Sequence, residues 1–267
     1  MKTDIKDFTF LIPIRIDSII RMENILMSIS YLLQNFDTNI IVLEAADYNN
    51  RVLSKLLDKR VQYMFIEDKD PVFYRTKYLN IMTLKSATSF LGIWDADVII
   101  PKQQIIDSIL KLREGYEIAY PYDGQFYDTS DIIREYYFRK KSINTLIKNK
   151  GKMSMIYGGY AKGGAMFVNK LAYMQAGMEN ENFYGWGPED WERHERWQVL
   201  DYKIHCSNGC LFHLTHYRGA NSTFRSTKQR LNTNRELQIT KNSSKEEIYK
   251  GMNHRQSPIA VRLKPVK

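Results

Sequence analysis

Apolar and polar positions alternate along the first hundred residues in two different rhythms. Short apolar runs read as strands: "FTFLIPI" (Phe8–Ile14), "NIIVLEA" (Asn39–Ala45), "VQYMFIE" (Val61–Glu67) and "FLGIWDAD" (Phe90–Asp97). Between them lie segments with helical spacing. "DSIIRMENILMSISYLLQNF" (Asp17–Phe36) carries Ile20, Ile25, Leu26, Ile29, Leu32 and Leu33 behind an N-cap candidate. Asn50–Lys59 and Pro71–Ala87 read as two more helices. This alternation predicts an α/β fold, a mostly parallel Rossmann-like sheet with helices on both faces. Ligands then bind beyond the carboxyl ends of the strands.

Downstream the rhythm loosens. "IIREYYFRKKSINTLIKNKGK" (Ile132–Lys152) predicts a basic, amphipathic helical excursion. "GGYAKGGAMFVNKLAYMQAGM" (Gly158–Met178) sets four glycines ahead of a strand-like "AMFV" and a short helix. In "ENFYGWGPEDWERHERW" (Glu181–Trp197), Gly185 and Gly187 flank Trp186 and free the backbone to present an indole at a surface. Pro188 suits the first residue of a helix, and Glu189 and Asp190 fall in the first turn, where the dipole favours anions. An acid-capped helix explains the acids but not an exposed Trp between two glycines.

Two carboxylates one residue apart, Asp95 and Asp97, close the apolar run "GIWDADVIIP". A buried carboxylate costs several kcal/mol, on the order of what a missing partner implies, and two so close repel each other. A single Asp there would read as a cap for the next helix; a pair points to a bound cation. The residues "HCSNGCLFHLTH" (His205–His216) offer a competing metal site of Cys206, Cys210, His213 and His216. Their Cys-to-His gap is far shorter than the roughly 12 residues of a zinc finger. "SNG" reads instead as a turn between strands, with the cysteines as small core residues.

Charge adds a partner class. Lys and Arg number 39 and Asp and Glu 30, a net +9. Residues 218–267 hold 12 of the basic and 3 of the acidic residues, so the rest is balanced at 27 each. Such a stretch suits phospholipid headgroups, a pyrophosphate-linked substrate or nucleic acid, or is a solvated tail. The neutral body and the lack of a recognition motif count against nucleic acid. With 267 residues, 43% of them hydrophobic, the chain can bury one sizeable core. No apolar stretch nears the roughly 20 residues that span a bilayer, and "MKTDIKDF" lacks a signal-peptide pattern. Two cysteines make no disulfide framework, so the expected setting is the cytoplasm, at the inner face of the membrane if the basic tail docks there.

Four segments, in order, resemble the GT-A nucleotide-sugar glycosyltransferases, in particular the β-1,4-galactosyltransferase-like group and its bacterial relatives. They are "IPIR" (Ile12–Arg15), "FYRTKYLN" (Phe73–Asn80), "WDADVIIP" (Trp94–Pro101) and "GGAMFVNKLAYMQAGMENENFYGWGPED" (Gly163–Asp190). The resemblance implies a GT-A domain over 1–217, with a nucleotide half to about 100 and an acceptor half after it, followed by a basic extension over 218–267. It implies an inverting, metal-dependent transfer of a hexose, galactose or N-acetylgalactosamine, from a UDP-sugar to a saccharide or lipid-linked glycan. Asp190 would be the base; Trp186, Glu189, Gly164 and Gly187 would meet sugar. Pro13, Arg15, Glu44, Arg75, Lys77 and Asp95 would meet the nucleotide. Asp97 would hold Mn²⁺ or Mg²⁺, with His216 favoured over His213 as a further ligand and Asp95 facing the metal's waters. Where the family's run of acids continues, this chain has Trp191, so the acceptor contact made there by a carboxylate does not carry over. A non-catalytic nucleotide-sugar or glycan-binding module would keep the fold without needing base and metal ligands together.

Overall fold

The computed structural model describes residues 1–252; the end of the basic extension, 253–267, lies outside the described residues. The strands are β1 (Thr3–Ile14), β2 (Phe36–Ala46), β3 (Val61–Glu67), β4 (Phe90–Trp94), β5 (Val98–Ile99), β6 (Ile118–Tyr120), β7 (Phe126–Asp128), β8 (Ser154–Ile156), β9 (Ala165–Asn169), β10 (Ile204–Cys206) and β11 (Leu211–His213). The α-helices are α1 (Ile19–Asn35), α2 (Val52–Leu56), α3 (Arg75–Lys85), α4 (Lys102–Arg113), α5 (Asp131–Lys140), α6 (Ile143–Asn149), α7 (Lys170–Gln175), α8 (Glu189–Val199) and α9 (Thr227–Asn242).

Seven strands form one sheet in the order β10-β6-β9-β4-β1-β2-β3. The β1/β2, β2/β3, β1/β4 and β10/β6 pairs are parallel, as the strand–helix alternation implies. The glycine-led strand β9 enters antiparallel between β4 and β6. The centre is aromatic: Phe10 meets Trp94 and Phe167 edge-on at 5.3 and 5.6 Å. Such pairs add about 0.5–1.5 kcal/mol each beyond the area they bury. Gly92 sits among these rings because a Cβ there would stand 2.9 Å from Phe167.

A second, four-stranded sheet, β5-β11-β7-β8, stands at the carboxyl end of β4. Strand β11 pairs antiparallel with β5, placing His213 opposite Val98, and parallel with β7, placing His213 opposite Asp128. This register carries the C-terminal histidines to the Asp-Ala-Asp segment.

Several local expectations shift. Ser18, not Asp17, caps α1, accepting from the Arg21 N–H. The Ile132–Lys152 excursion is two helices, broken where Lys141 takes a left-handed conformation (φ 50°). Cys206 and Cys210 flank a link between strands of different sheets; Cys210 is buried, but Cys206 is exposed and is no core residue.

Candidate active site and metal centre

The carboxyl ends of β1 and β4 open into two adjoining cavities, of about 170 and 320 Å³. Arg75, Asp95, Phe126, Tyr157 and Trp186 wall both. The first also takes in Pro13, Arg15, Asp97, His213, His216 and Arg218, and the second Gly164, Gly187, Glu189, Asp190, Trp191 and Phe224.

In the first cavity Asp97, His213 and His216 each turn a ligand atom inward, all within 4.8 Å of one another. Asp97 is buried, and its carbonyl accepts from the Leu214 N–H at 2.7 Å, which ties the β4–β5 link to the chain after β11. The hydrogen bonds to the imidazoles decide what these atoms can bind. His216 Nδ1 lies 2.8 Å from the Tyr217 carbonyl, which can only accept, so Nδ1 carries the proton. His213 Nδ1 lies 2.7 Å from Asp128 Oδ1 and donates to it in the same way. In the neutral rings both Nε2 atoms are then bare acceptors, aimed at Asp97 Oδ2 from 3.1 Å (His216) and 3.6 Å (His213). Three acceptors facing one point need a positive charge between them. Burial disfavours a charged His213, yet Asp97 and Asp128 outweigh it and raise the imidazole to about 9. A carboxylate and two imidazoles oriented by a carboxylate and a carbonyl fit a divalent transition metal such as Mn²⁺. Both histidines converge on Asp97. Asp95 stands apart from this group, bound by Arg75 Nη2 at 2.8 Å.

Arg15 is pinned by two carbonyls, Nε to Ala45 at 2.9 Å and Nη1 to Asp70 at 2.8 Å. Its buried Nη2 has no hydrogen-bond partner among the described residues. Arg75 begins α3 and holds Asp95; its Nη1 is 3.6 Å from Asp190 Oδ1 and makes no hydrogen bond. These two guanidiniums present spare donors to the cleft. Glu44 and Lys77 are not brought to it. Glu44 is buried and accepts from the Tyr63 hydroxyl across the β2–β3 pair at 2.6 Å, and Lys77 lies over the Tyr74 ring at 5.8 Å.

The second cavity is built on the start of α8. Pro188 is the N-cap, with Glu189 and Asp190 in the first turn. Asp190 Oδ1 accepts from Arg193 Nη2 at 2.6 Å, and Arg193 Nη1 is held by both oxygens of Glu179 at 2.7 Å. Burial pushes the Asp190 carboxyl up, but Arg193 and Arg75 outweigh it and hold it below the usual range. Glu189 goes the other way: burial, then repulsion from Asp190, raise it to about 8 against the pull of Arg75. Its buried Oε2 has no hydrogen-bond partner among the described residues. Two adjacent carboxyls are thus split into an ionised acceptor and a protonated donor. Trp186 is half-buried rather than exposed, with Phe224 edge-on at 4.7 Å.

Two predictions arise here. Glu189 binds a proton in the folded state between its ordinary 4.5 and about 8, where the unfolded chain does not. Stability should therefore fall as pH rises through that window, and Glu189→Gln should flatten the fall in denaturant titrations at several pH values. Gly163 is the second case. A Cβ there would stand 2.2 Å from Asp190 Oδ2, so only glycine leaves that carboxylate in place. Gly163→Ala should displace Asp190 and lower turnover roughly 10²-fold, with the circular dichroism spectrum retained.

Arg193, Glu179, Asp128, Gly163 and Phe224 escaped the sequence reading. The only signal for Gly163 was the Gly163–Gly164 pair ahead of "AMFV"; the others owe their roles to contacts between distant segments.

No protein-family model matches the sequence, and no curated protein matches it. Among solved structures, the catalytic domain of Drosophila β1,4-galactosyltransferase 7 complexed with xylobiose is similar, with a TM-score of 0.55 at 12% identity, over 91% of this chain and 82% of that one. A mutant of that enzyme complexed with manganese, UDP-Gal and xylobiose gives 0.52 at 12% identity, over 85% and 78%. The fold is GT-A.

Proposed function

We propose that this chain is a metal-dependent, inverting glycosyltransferase. It would move a hexose, galactose or N-acetylgalactosamine, from a UDP-sugar to a hydroxyl of a saccharide or lipid-linked glycan. The observation that carries this reading is the division of labour in one cleft. An ionised carboxylate, Asp190, stands in one cavity, and a separate Asp97–His213–His216 donor set in the adjoining one. Direct displacement needs both: a proton acceptor on the acceptor side and charge stabilisation on the leaving side. The mutant Drosophila enzyme of the same fold is complexed with manganese, UDP-Gal and xylobiose, which supports the same pairing of donor and acceptor.

In this reading Asp97, His213 and His216 hold Mn²⁺ or Mg²⁺, with Mn²⁺ the better match for two nitrogen ligands. When bound, the cation supplies Lewis-acid stabilisation of the diphosphate's charge. The spare Nη2 of Arg15 meets phosphate oxygens. Asp190, held at Oδ1 by Arg193, takes the proton of the attacking hydroxyl on Oδ2. Protonated Glu189 donates to a sugar hydroxyl, and Trp186 and Trp191 wall the space in which the sugars lie. Residues 1–217 supply the proposed base and metal ligands, the start of the following segment adds Arg218 and Phe224 to the cleft walls, and the basic extension faces an anionic acceptor or the inner face of the membrane from the cytoplasm.

The test is a panel of UDP- and GDP-sugars in thermal-shift assays, with and without Mn²⁺. A metal-dependent rise in melting temperature with one UDP-sugar, and its slow metal-dependent hydrolysis, are expected. Stabilisation by no nucleotide sugar would overturn the reading. Stabilisation with no hydrolysis or transfer would favour a binding module.

A further inference from the structure

The sequence between positions 136 and 178 contains eight Lys and Arg and no Asp or Glu. The rest of residues 1–217 holds 19 basic and 27 acidic residues, so this excess is local, and it is independent of the C-terminal extension. Lys148 and Lys152 are exposed, on α6 and on the turn that follows it. Of the carboxylates that flank it, Glu135 pairs with Arg134 and the buried Glu179 with Arg193, while Asp131 stands exposed at the start of α5.

The same stretch exposes apolar and aromatic side chains. Ile147 is 46% exposed, Met155 48% and Tyr160 73%. Met155 belongs to β8, the margin of the smaller sheet, and its sulfur comes within 3.9 Å of the Cβ position of Gly159. Tyr157 is tied to the chain beyond β11: its hydroxyl accepts from Arg218 Nη1 at 3.1 Å. Beside Arg218, Tyr217 is 84% exposed. Residues 147–160 thus form one short stretch with exposed aliphatic and tyrosine side chains among lysines, and its Tyr157 walls the cleft.

We propose that this face docks on a bilayer containing anionic phospholipid. Charge complementarity selects the headgroups: lysines beside an anionic leaflet gain from its surface potential. Ile147 and Met155 enter the acyl boundary, and the tyrosines lie at headgroup level, where their apolar rings and polar hydroxyls are both satisfied. A nucleic acid would be drawn by the lysines but would gain nothing from burying Ile147 and Met155. The docking does not rest on the transferase reading. If both hold, the bilayer lies at the mouth of the cleft, where a lipid-borne acceptor would enter.

The experiment is flotation of the full chain with vesicles of phosphatidylcholine alone and of phosphatidylcholine mixed with phosphatidylglycerol. Binding to the mixed vesicles only, falling with salt, is expected. Each basic residue near an anionic leaflet contributes roughly a five-fold factor, so Lys148→Gln with Lys152→Gln should weaken partitioning about 25-fold. Met155→Ser with Tyr160→Ser should weaken it at low and at high salt alike. All four positions are exposed, and both double variants should keep the wild-type melting temperature. The proposal is overturned if both variants float like the wild type, which would assign binding to the C-terminal extension. It is equally overturned if the wild type ignores anionic vesicles, or if duplex RNA displaces it from them while the Met155/Tyr160 variant binds normally.

Discussion

Asp190→Asn should lower turnover by about 10²- to 10⁴-fold while donor affinity stays close to that of the wild type. Asparagine keeps the shape and the reach but cannot take a proton. The substitution also removes one partner of a buried arginine, since Arg193 Nη2 donates to Asp190 Oδ1 at 2.6 Å. Arg193 retains both oxygens of Glu179, so its charge remains paired. A stability loss is expected nonetheless, and turnover should be measured well below the melting temperature. Glu189→Gln is the neighbouring control. Because Glu189 is held protonated up to about pH 8, glutamine keeps a donor in its place, so kcat should stay near the wild type and any loss should fall on KM, through the altered donor geometry. If Asp190→Asn turns over normally and Glu189→Gln is dead, the two roles are exchanged. If both work, the Gly-Trp-Gly-Pro-Glu-Asp segment is not the catalytic loop.

The parts of this site legible in the sequence were those whose oddity is local. Two carboxylates closing an apolar strand, and an indole between two glycines before an acidic helix start, are anomalies visible within ten residues. The strand–helix rhythm likewise placed the sheet and its ligand-binding end. What escaped depends on register between distant segments. That His213 and His216 both turn Nε2 to Asp97 follows from the pairing of β11 with β5, and that Asp128 orients His213 follows from its pairing with β7. Nothing in the local sequence marks Arg193 and Arg196 of α8 as buried. They are buried because Glu179 and the Ala176 and Met178 carbonyls meet them, and because α9 covers the helix, Thr240 donating to Glu192. Segment 218–252 is polar enough to pass for a loose tail, yet Gln229 donates to the Tyr184 and Trp186 carbonyls and Phe224 lies against Trp186. Glu44 shows the converse: a carboxylate at a strand end looks available, and only the β2–β3 pairing shows the Tyr63 hydroxyl donating to it.

Asp97→Ala should abolish tight Mn²⁺ binding, and with it activity, while the sheet stays folded. Loss of a residue that merely orients a metal ligand typically costs 10- to 100-fold in affinity, so removing a ligand itself should exceed about 10²-fold. His216→Ala and His213→Ala should each fall short of this, since the remaining carboxylate and one imidazole still offer two donors. Asp128→Asn is the informative partner. It touches no metal position, but it removes the carboxylate that fixes the His213 tautomer at 2.7 Å, and should weaken Mn²⁺ binding by roughly 10-fold. Electron paramagnetic resonance of free Mn²⁺ during titration reads each affinity without any substrate. A second outcome follows from charge. With neutral imidazoles, Asp97 contributes the only negative charge in the donor set, so Asp97→Asn, which keeps an oxygen donor, should bind Mn²⁺ far more weakly than the wild type. Equal affinity of the wild type, Asp97→Ala and Asp97→Asn would mean the cation sits elsewhere, and full turnover after exhaustive dialysis against EDTA would mean the reaction needs none.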